Sequence, residues 1–471
     1  EASRRAYNNP PGASKNIILF LGDGMGPSTV TAARIFAGQQ QGLSGEEYSL
    51  SFERFPWTGL VKTYNTDAQV PDSAGTMTAI MTGVKTRSGV IGIDERPLRG
   101  SCESYMNTPG ATLVSALELA EVSGKATGIV STAKITHATP AATYANSPDR
   151  NWESTSNMPE EAKTLGCADI ASQLVDFENR LKSKVNGGID DSDIDGIDVA
   201  FGGGRNAFYS EDPVSISGFA ESTGEGNRDD GRNLIYSWVS QGGRYIMDRE
   251  GFNNIDSSDS RNVLGLFENS HMRYEANRNE DIGGEPSLTE MTVKAIELLK
   301  NNEDGFFLMV EAGRIDHAHH ANNAFNALNE TVELSNAVQA AVNAVDTNET
   351  LIIVTADHSH VMTMAGSPTR GNPILGKVIG NDSSGMPESE FTRDRDGLPY
   401  TTLSYTNGAG FNDNSNNTNA DARSGLPASG RHDLTNIDTE TPGYHQETLV
   451  GTFGETHGGE DVGVYAIGPG A

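Results

Sequence analysis

Residues Asn16–Leu21 read NIILFL, an uninterrupted apolar run, and GDGMG follows at once. The arrangement recurs. Thr127–Val130 precedes STAKITHAT, Phe306–Val310 precedes EAGRIDHAHH and Leu351–Val354 precedes TADHSH, while Val462–Ile467 comes just after ETHGG. Continuous apolar runs, without polar alternation, predict strands covered on both faces. Helical stretches lie between them, at Ala111–Ser123, Ala168–Leu181, Leu288–Asn301 and Ala321–Asn343. Strand–helix alternation predicts an α/β fold, a three-layer α/β/α sandwich with a large, mostly parallel central sheet. Ligands bind beyond the carboxyl ends of strands in such sheets. Four of the five polar clusters stand at that end, so they are expected to converge.

The 471 residues suffice for one large α/β domain with insertions, or for two to three average domains. From Gly366 to about His445 the composition shifts to Gly, Ser, Asn, Asp, Thr and Pro, with GAGFNDNSNNTNADARSG as its extreme. This reads as an insertion on the main domain, either a surface loop or an interface element, and composition favours the loop. No apolar run approaches 18 residues, so no membrane span is expected. A formal charge of −30, from 64 Asp+Glu against 34 Lys+Arg, argues against nucleic-acid or anionic-membrane partners. It suits adaptation to high salt, where screening relieves self-repulsion. Glu1 with no basic-then-apolar leader reads as a processed chain. Cys102 and Cys167, the two cysteines, form neither a zinc knuckle nor a CxxC pair. One long-loop disulfide and two inert buried thiols both remain open.

The polar clusters carry the chemistry. Asp23, flanked by glycines past a strand, suits a metal ligand, although a turn aspartate looks the same. Asp357 and His358 offer the oxygen and imidazole nitrogen that zinc accepts, with His360 two positions on. If a helix begins just after Phe306–Val310, Asp316 and His320 fall at i, i+4 on one face and can grip one ion. His317 and His319 then point elsewhere, and Glu311 stands back at the strand end. His457 lies in FGETHGGEDVGV. Counting His137, seven of the ten histidines fall in these motifs. Together they suffice for a multi-metal site, and two metals roughly 4 Å apart clamp in-line displacement at phosphorus. Ser73 in VPDSAGTMTA precedes a small-residue helical run, which places its hydroxyl at a helix N-terminus favourable for an anion. An ordinary serine cap would look alike. No GxSxG surrounds it. Arg150 in NSPDRNW could supply a bidentate phosphate fork, or simply be a surface arginine.

The motifs LFLGDGMG, PDSAGTMTA, THATPAATYANSPDRNW, VEAGRIDHAHH, TADHSH and ETHGGEDV, in this order and spacing, resemble those of the alkaline phosphatases. The resemblance runs through almost the whole chain and weakens in 366–445. It implies a single phosphatase domain over 1–471 that hydrolyses phosphate monoesters through a phosphoserine at Ser73. It implies one zinc on Asp316, His320 and His457, a second on Asp23, Asp357 and His358, and a magnesium-type ion on Asp23, Thr139 and Glu311. Arg150 would grip phosphate, steadied by Asp72. His317 would reach phosphate through water, His137 would stand by the magnesium site, and His360 would orient a ligand. His319 is left without a role. GLFENSHMRYEANRNEDIGGEPSL resembles a calcium-site region, with Glu268 and Glu285 as candidate ligands, although the spacing between them departs by two residues. The resemblance further implies a Cys102–Cys167 bridge, a periplasmic or extracellular location, and a homodimer whose crown-like interface is 366–445. A sulfatase would need a modifiable Cys or Ser in a CxPxR-like context, which PDSAG is not.

Overall fold

A computed structural model describes residues 14–185, 191–210, 226–258, 261–413 and 430–471. Its strands, in chain order, are β1 Asn16–Gly22, β2 Trp57–Val61, β3 Ala126–Lys134, β4 Val199–Gly203, β5 Arg244–Ile246, β6 Val263–Leu266, β7 Phe306–Ala312 and β8 Thr350–Ala356. There follow β9 Ser359–His360, β10 Met362–Met364, β11 Leu403–Gly408, β12 Asn412–Asp413, β13 Tyr444–His445, β14 Thr448–Gly451, β15 His457–Gly458 and β16 Val462–Ile467. A nine-stranded sheet runs β2-β16-β8-β1-β7-β3-β4-β6-β5. From β8 to β5 all neighbours are parallel. Only β16 runs against β8 and β2.

The apolar runs explain why this sheet is buried on both faces. Side chains alternate along a strand. Ile18 and Phe20 of β1 therefore enter one layer, with Val130, Leu308, Ile352, Phe36 and Leu334. Leu19 and Leu21 enter the opposite layer, with Ile129, Met309, Met77, Leu117 and Leu174. Each such fully buried side chain contributes roughly 1.5–3 kcal/mol relative to exposure. Helix caps fix where the surrounding helices start. Ser115 and Glu118 form a capping box, so the helix expected from Ala111 begins only at Ala116. The stretch Ala168–Leu181 divides into two helices, Ile170–Val175 and Phe177–Val185.

The direction of β16 accounts for the one motif that precedes its strand. Because β16 is antiparallel to β8, its start lies at the carboxyl end of the parallel strands. ETHGG thus reaches the same rim as the other clusters, and β15, carrying His457, pairs with β9, carrying His360.

A smaller sheet, β10-β11-β14, starts before Gly366 and ends beyond His445. Ile374, Leu375, Leu403 and Tyr405 are buried in the main apolar layer, so this part of the 366–445 stretch is anchored to the core. Residues 414–429, most of the Asn-rich run, lie outside the described residues. Cys102 and Cys167 are joined by a disulfide, which removes the two-thiol alternative. Among the described residues no helix is long and apolar enough to cross a membrane.

Candidate active site

Ser73 opens the helix Ser73–Thr82, and Asp72 caps it by accepting from the Gly75 amide at 3.1 Å. The helix stops at Gly83, whose φ of 73° is the left-handed conformation that favours glycine. Ser73 is buried, and its Oγ lies 3.1 Å from His358 Nε2 and 3.5 Å from Asp23 Oδ1. Arg150 donates from Nη1 to Asp72 Oδ2 at 3.0 Å, and the Gly89 amide donates to the same oxygen at 2.9 Å. Burial alone would raise the Asp72 carboxyl. The Arg150 guanidinium and the two amides outweigh it and hold the group below the usual carboxylate range.

The helix Arg314–His320 does begin just after β7, and Asp316 and His320 meet across one turn. Asp316 Oδ1 is 3.2 Å from His320 Nε2, 3.4 Å from His457 Nε2 and 2.7 Å from His360 Nε2. His320 Nδ1 donates to the Glu455 carbonyl at 2.7 Å, and His457 Nδ1 donates to the Pro71 carbonyl at 2.7 Å. A carbonyl only accepts, so in the neutral rings each Nε2 lone pair is left facing Asp316. The Glu455 carboxylate also lies 3.5 Å from His320 Nδ1, and His360 bridges the same two carboxylates, Asp316 and, through Nδ1 at 2.6 Å, Glu455. Burial disfavours the charged ring, but these two carboxylates outweigh it and raise its pKa. Asp316, His320, His360 and His457 form one group able to hold a cation.

A second group gathers around His358, whose Nδ1 donates to the Ser359 carbonyl at 3.2 Å. Its Nε2 lies 3.3 Å from both Asp23 Oδ1 and Asp357 Oδ2. Ligand atoms of Asp23, Asp316 and His358 also lie close enough to share an ion, which sets Asp316 between the two groups. Asp357 is oriented by the Gly24 amide at 3.0 Å and its neighbour His358's amide at 2.9 Å. Gly24 has φ +70°, and a Cβ there would stand 2.3 Å from His360 Cδ2, so the GDGMG turn requires glycine on two counts.

The third group comprises Asp23, His137 and Glu311, with Thr139 beside them. Asp23 Oδ2, His137 Nδ1, Thr139 Oγ1 and Glu311 Oε1 are buried without a hydrogen-bond partner. Buried polar atoms are rarely left so, and the three oxygens of this set have the chemistry of a hard-cation cradle. Burial, with the Asp357 carboxylate adding to it, pushes Glu311 up to about 8. Burial and the Asp357, Asp316 and Glu311 carboxylates raise Asp23 well above its ordinary value. Four carboxylates packed together away from water need positive charge, which bound cations would supply.

Beside this group stands a cluster of imidazoles. Arg150 Nη2 donates to His137 Nε2 at 3.2 Å, and Arg314 Nη1 donates to His317 Nδ1 at 3.0 Å. In the neutral His137 ring the proton then sits on Nδ1, which suits a cation's bound water rather than the cation itself. His271, which lies in the calcium-region stretch but is given no role there, packs 4.2 Å from His317 and 5.4 Å from His137, centroid to centroid. Sequence reasoning also missed Glu455, which holds His320 and His360, and Ser131, which donates to Glu311 Oε2. The Glu455 signal was present as the acid two positions before His457. Glu268 and Glu285 do come together, and Asp281 joins them. There Asp281 Oδ2 and Glu285 Oε2 are buried and unpartnered.

The profile of the alkaline phosphatase family matches residues 14–471. The alkaline phosphatase of Gadus morhua is 39% identical over 460 residues, covering 97% of this chain and 87% of that one. The tissue-nonspecific isozyme of Homo sapiens is 41% identical over 461 residues, covering 97% of this chain and 79% of that one. Among solved structures, the Thermus thermophilus alkaline phosphatase superposes with a TM-score of 0.63 at 23% identity, covering 97% and 87% of the two chains. That of the Antarctic bacterium TAB5 gives 0.59 at 21%, covering 98% and 93%.

Proposed function

The chain belongs to the alkaline phosphatase family, a phosphoric monoester hydrolase by that membership, and we propose that it works through a phosphoserine formed on Ser73. The observation that supports this most directly is the buried Ser73 hydroxyl, at a helix start, 3.1 Å from His358 Nε2 and beside the Asp72–Arg150 pair. Asp316, His320 and His457 would hold one zinc ion, and Asp23, Asp357 and His358 the other, with Asp316 near both. Asp23, Glu311 and Thr139 would hold magnesium, with His137 on its water shell. Two zinc ions held there would supply Lewis acidity that lowers the pKa of the serine hydroxyl and of an attacking water, and charge that steadies the leaving oxygen.

Ser73 Oγ, its proton given up to solvent, attacks phosphorus. The Oγ–P bond forms as the bond to the ester oxygen breaks, and that oxygen takes a proton from solvent as the alcohol leaves. Water then attacks the phosphoserine, releases inorganic phosphate and restores the hydroxyl. Arg150 presents two N–H groups to the non-bridging oxygens through both halves of the cycle, its plane fixed by Asp72 and His137. His317 adds a donor to phosphate through water, because Arg314 occupies its Nδ1 and leaves the proton on Nε2.

Further readings stand on their own supports. Glu268, Asp281 and Glu285 would take calcium, the orphaned oxygens of Asp281 and Glu285 being the support. The disulfide supports export to the periplasm or the extracellular space. A homodimer is supported by the apolar exposure of β14 and its neighbourhood, where Leu449 is 84% and Phe453 91% exposed, adjoining the crown-like 366–445 stretch. The charge of −30 supports a salt-adapted protein, whose stability rises between dilute buffer and molar salt.

Ser73→Ala decides the central reading. Turnover of p-nitrophenyl phosphate should fall to nearly nothing while zinc analysis remains stoichiometric. Activity within about tenfold of wild type would exclude the serine as nucleophile.

A further inference from the structure

His319 belongs to none of the three cation groups, although Asp316 and His320 on the same turn do. Its ring is fully buried and lies stacked on that of His360, centroids 4.8 Å apart and planes 29° from parallel. Both ring nitrogens are engaged, Nε2 with Thr29 Oγ1 at 3.0 Å and Nδ1 with Tyr405 OH at 2.8 Å. A neutral imidazole has one donor and one acceptor, and a hydroxyl can answer either. The ring is therefore held at two edges, by the Pro27–Gln40 helix and by β11. Thr29 and Tyr405 are themselves buried, so loss of either bond would strand a polar atom away from water. The stacked partner, His360, is the ring that fixes the Asp316 carboxylate at 2.7 Å.

We propose that His319 is a positioning residue, which clamps His360 and through it Asp316, so that retention of the ion held by Asp316, His320 and His457 depends on β11 of the smaller sheet. The inference rests on the zinc reading above. It has a direct consequence: Tyr405, remote from the reacting atoms, governs how long one particular ion stays bound.

The test uses the full-length, zinc-loaded protein mixed with excess chromophoric zinc chelator, with release of the two ions followed in time. His319→Phe keeps an aromatic ring but loses both hydrogen bonds, and Tyr405→Phe removes one hydroxyl alone. His319→Phe is expected to speed release of one ion by about 10- to 100-fold. Tyr405→Phe should act in the same direction to a smaller extent. His319→Gln, able to keep one hydroxyl bond, should restore part of the retention. The second release phase should stay near wild type even where the stranded hydroxyls lower the melting of chelator-stripped protein, whereas a general packing defect would loosen both ions alike. Unchanged release in both Phe variants overturns the proposal, as does equal loosening of both ions alongside a lower melting point of the stripped protein. Wild-type protein that carries no stoichiometric zinc overturns the zinc reading itself, and this inference with it.

Discussion

Asp72 and Arg150, 78 positions apart, are joined at 3.0 Å by a carboxylate that also caps the helix beginning at Ser73. One side chain thus sets the distance between the candidate nucleophile and the candidate phosphate grip.

Removing the grip should therefore weaken binding before it weakens chemistry. Arg150→Ala is expected to raise KM for p-nitrophenyl phosphate roughly 10- to 100-fold, the worth of a charged hydrogen-bonded fork. Asp72→Asn should raise KM less. Asparagine can still cap Gly75, but its amide cannot accept from both Gly75 and Arg150. Zinc content should be unchanged in both. Steady-state kinetics with unaltered KM would detach this pair from the phosphate.

Gly24→Ala tests the turn after β1. The φ of +70° costs an alanine about 1 kcal/mol, and its Cβ would press on the His360 ring at 2.3 Å. Because the glycine amide also orients Asp357, activity and zinc content should fall far more than the melting temperature does. A variant with full zinc and full turnover would show that the crowding is relieved at no cost to the site.

At the opposite pole of the sheet, Glu121 offers a pH prediction away from the candidate active site, to be measured with chelator present because Glu121, Asp195 and Asp198 could themselves share a cation. It accepts from Thr127 and from the Asp195 and Gly196 amides, and burial, with the Asp198 and Asp195 carboxylates, pushes it up to about 8. The folded state thus keeps a proton that the unfolded chain releases near 4.5, so this group's contribution to stability falls as pH rises from about 4.5 to about 8. Asp198, pushed up to about 7 mainly by burial, adds to the same trend. Glu121→Gln mimics the protonated form. Its melting temperature should match wild type at pH about 5 and exceed it at pH about 9. A constant offset across that range would count against the titration.

The disulfide closes a loop of sequence separation 65 that contains Arg150. Chain entropy assigns such a loop roughly 4 kcal/mol. The paired replacement Cys102→Ala with Cys167→Ala should lower the denaturation midpoint and raise KM, with kcat less affected. An unchanged midpoint would mean that the loop is held by its packing on Trp152 and Met158 alone.

Much of this arrangement is legible in the sequence, for definite reasons. Buried strands need long apolar runs and chemistry needs polar residues at their ends, so GDGMG, TADHSH and EAGRIDHAHH announce both at once. What escaped depends on topology. Ser131 reaches Glu311 because β3 and β7 pair in a register that sets those two residues side by side. No local pattern contains that pairing. His271 meets His317 by the path of a loop, and the direction of β16 is invisible to periodicity. The role of His319 was equally hidden, since its partners Thr29 and Tyr405 lie 290 and 86 positions away.

The late position of His457 has a consequence for how the protein is made. Its Nδ1 reaches back 386 positions to the Pro71 carbonyl, and its Nε2 completes the group begun by Asp316 and His320. A nascent chain made only as far as His360 holds the serine and the other residues of these groups but lacks this one. On the zinc reading proposed above, hydrolytic competence is withheld until residue 457 has been made, a delay that keeps the centre silent long after Ser73 and Arg150 exist.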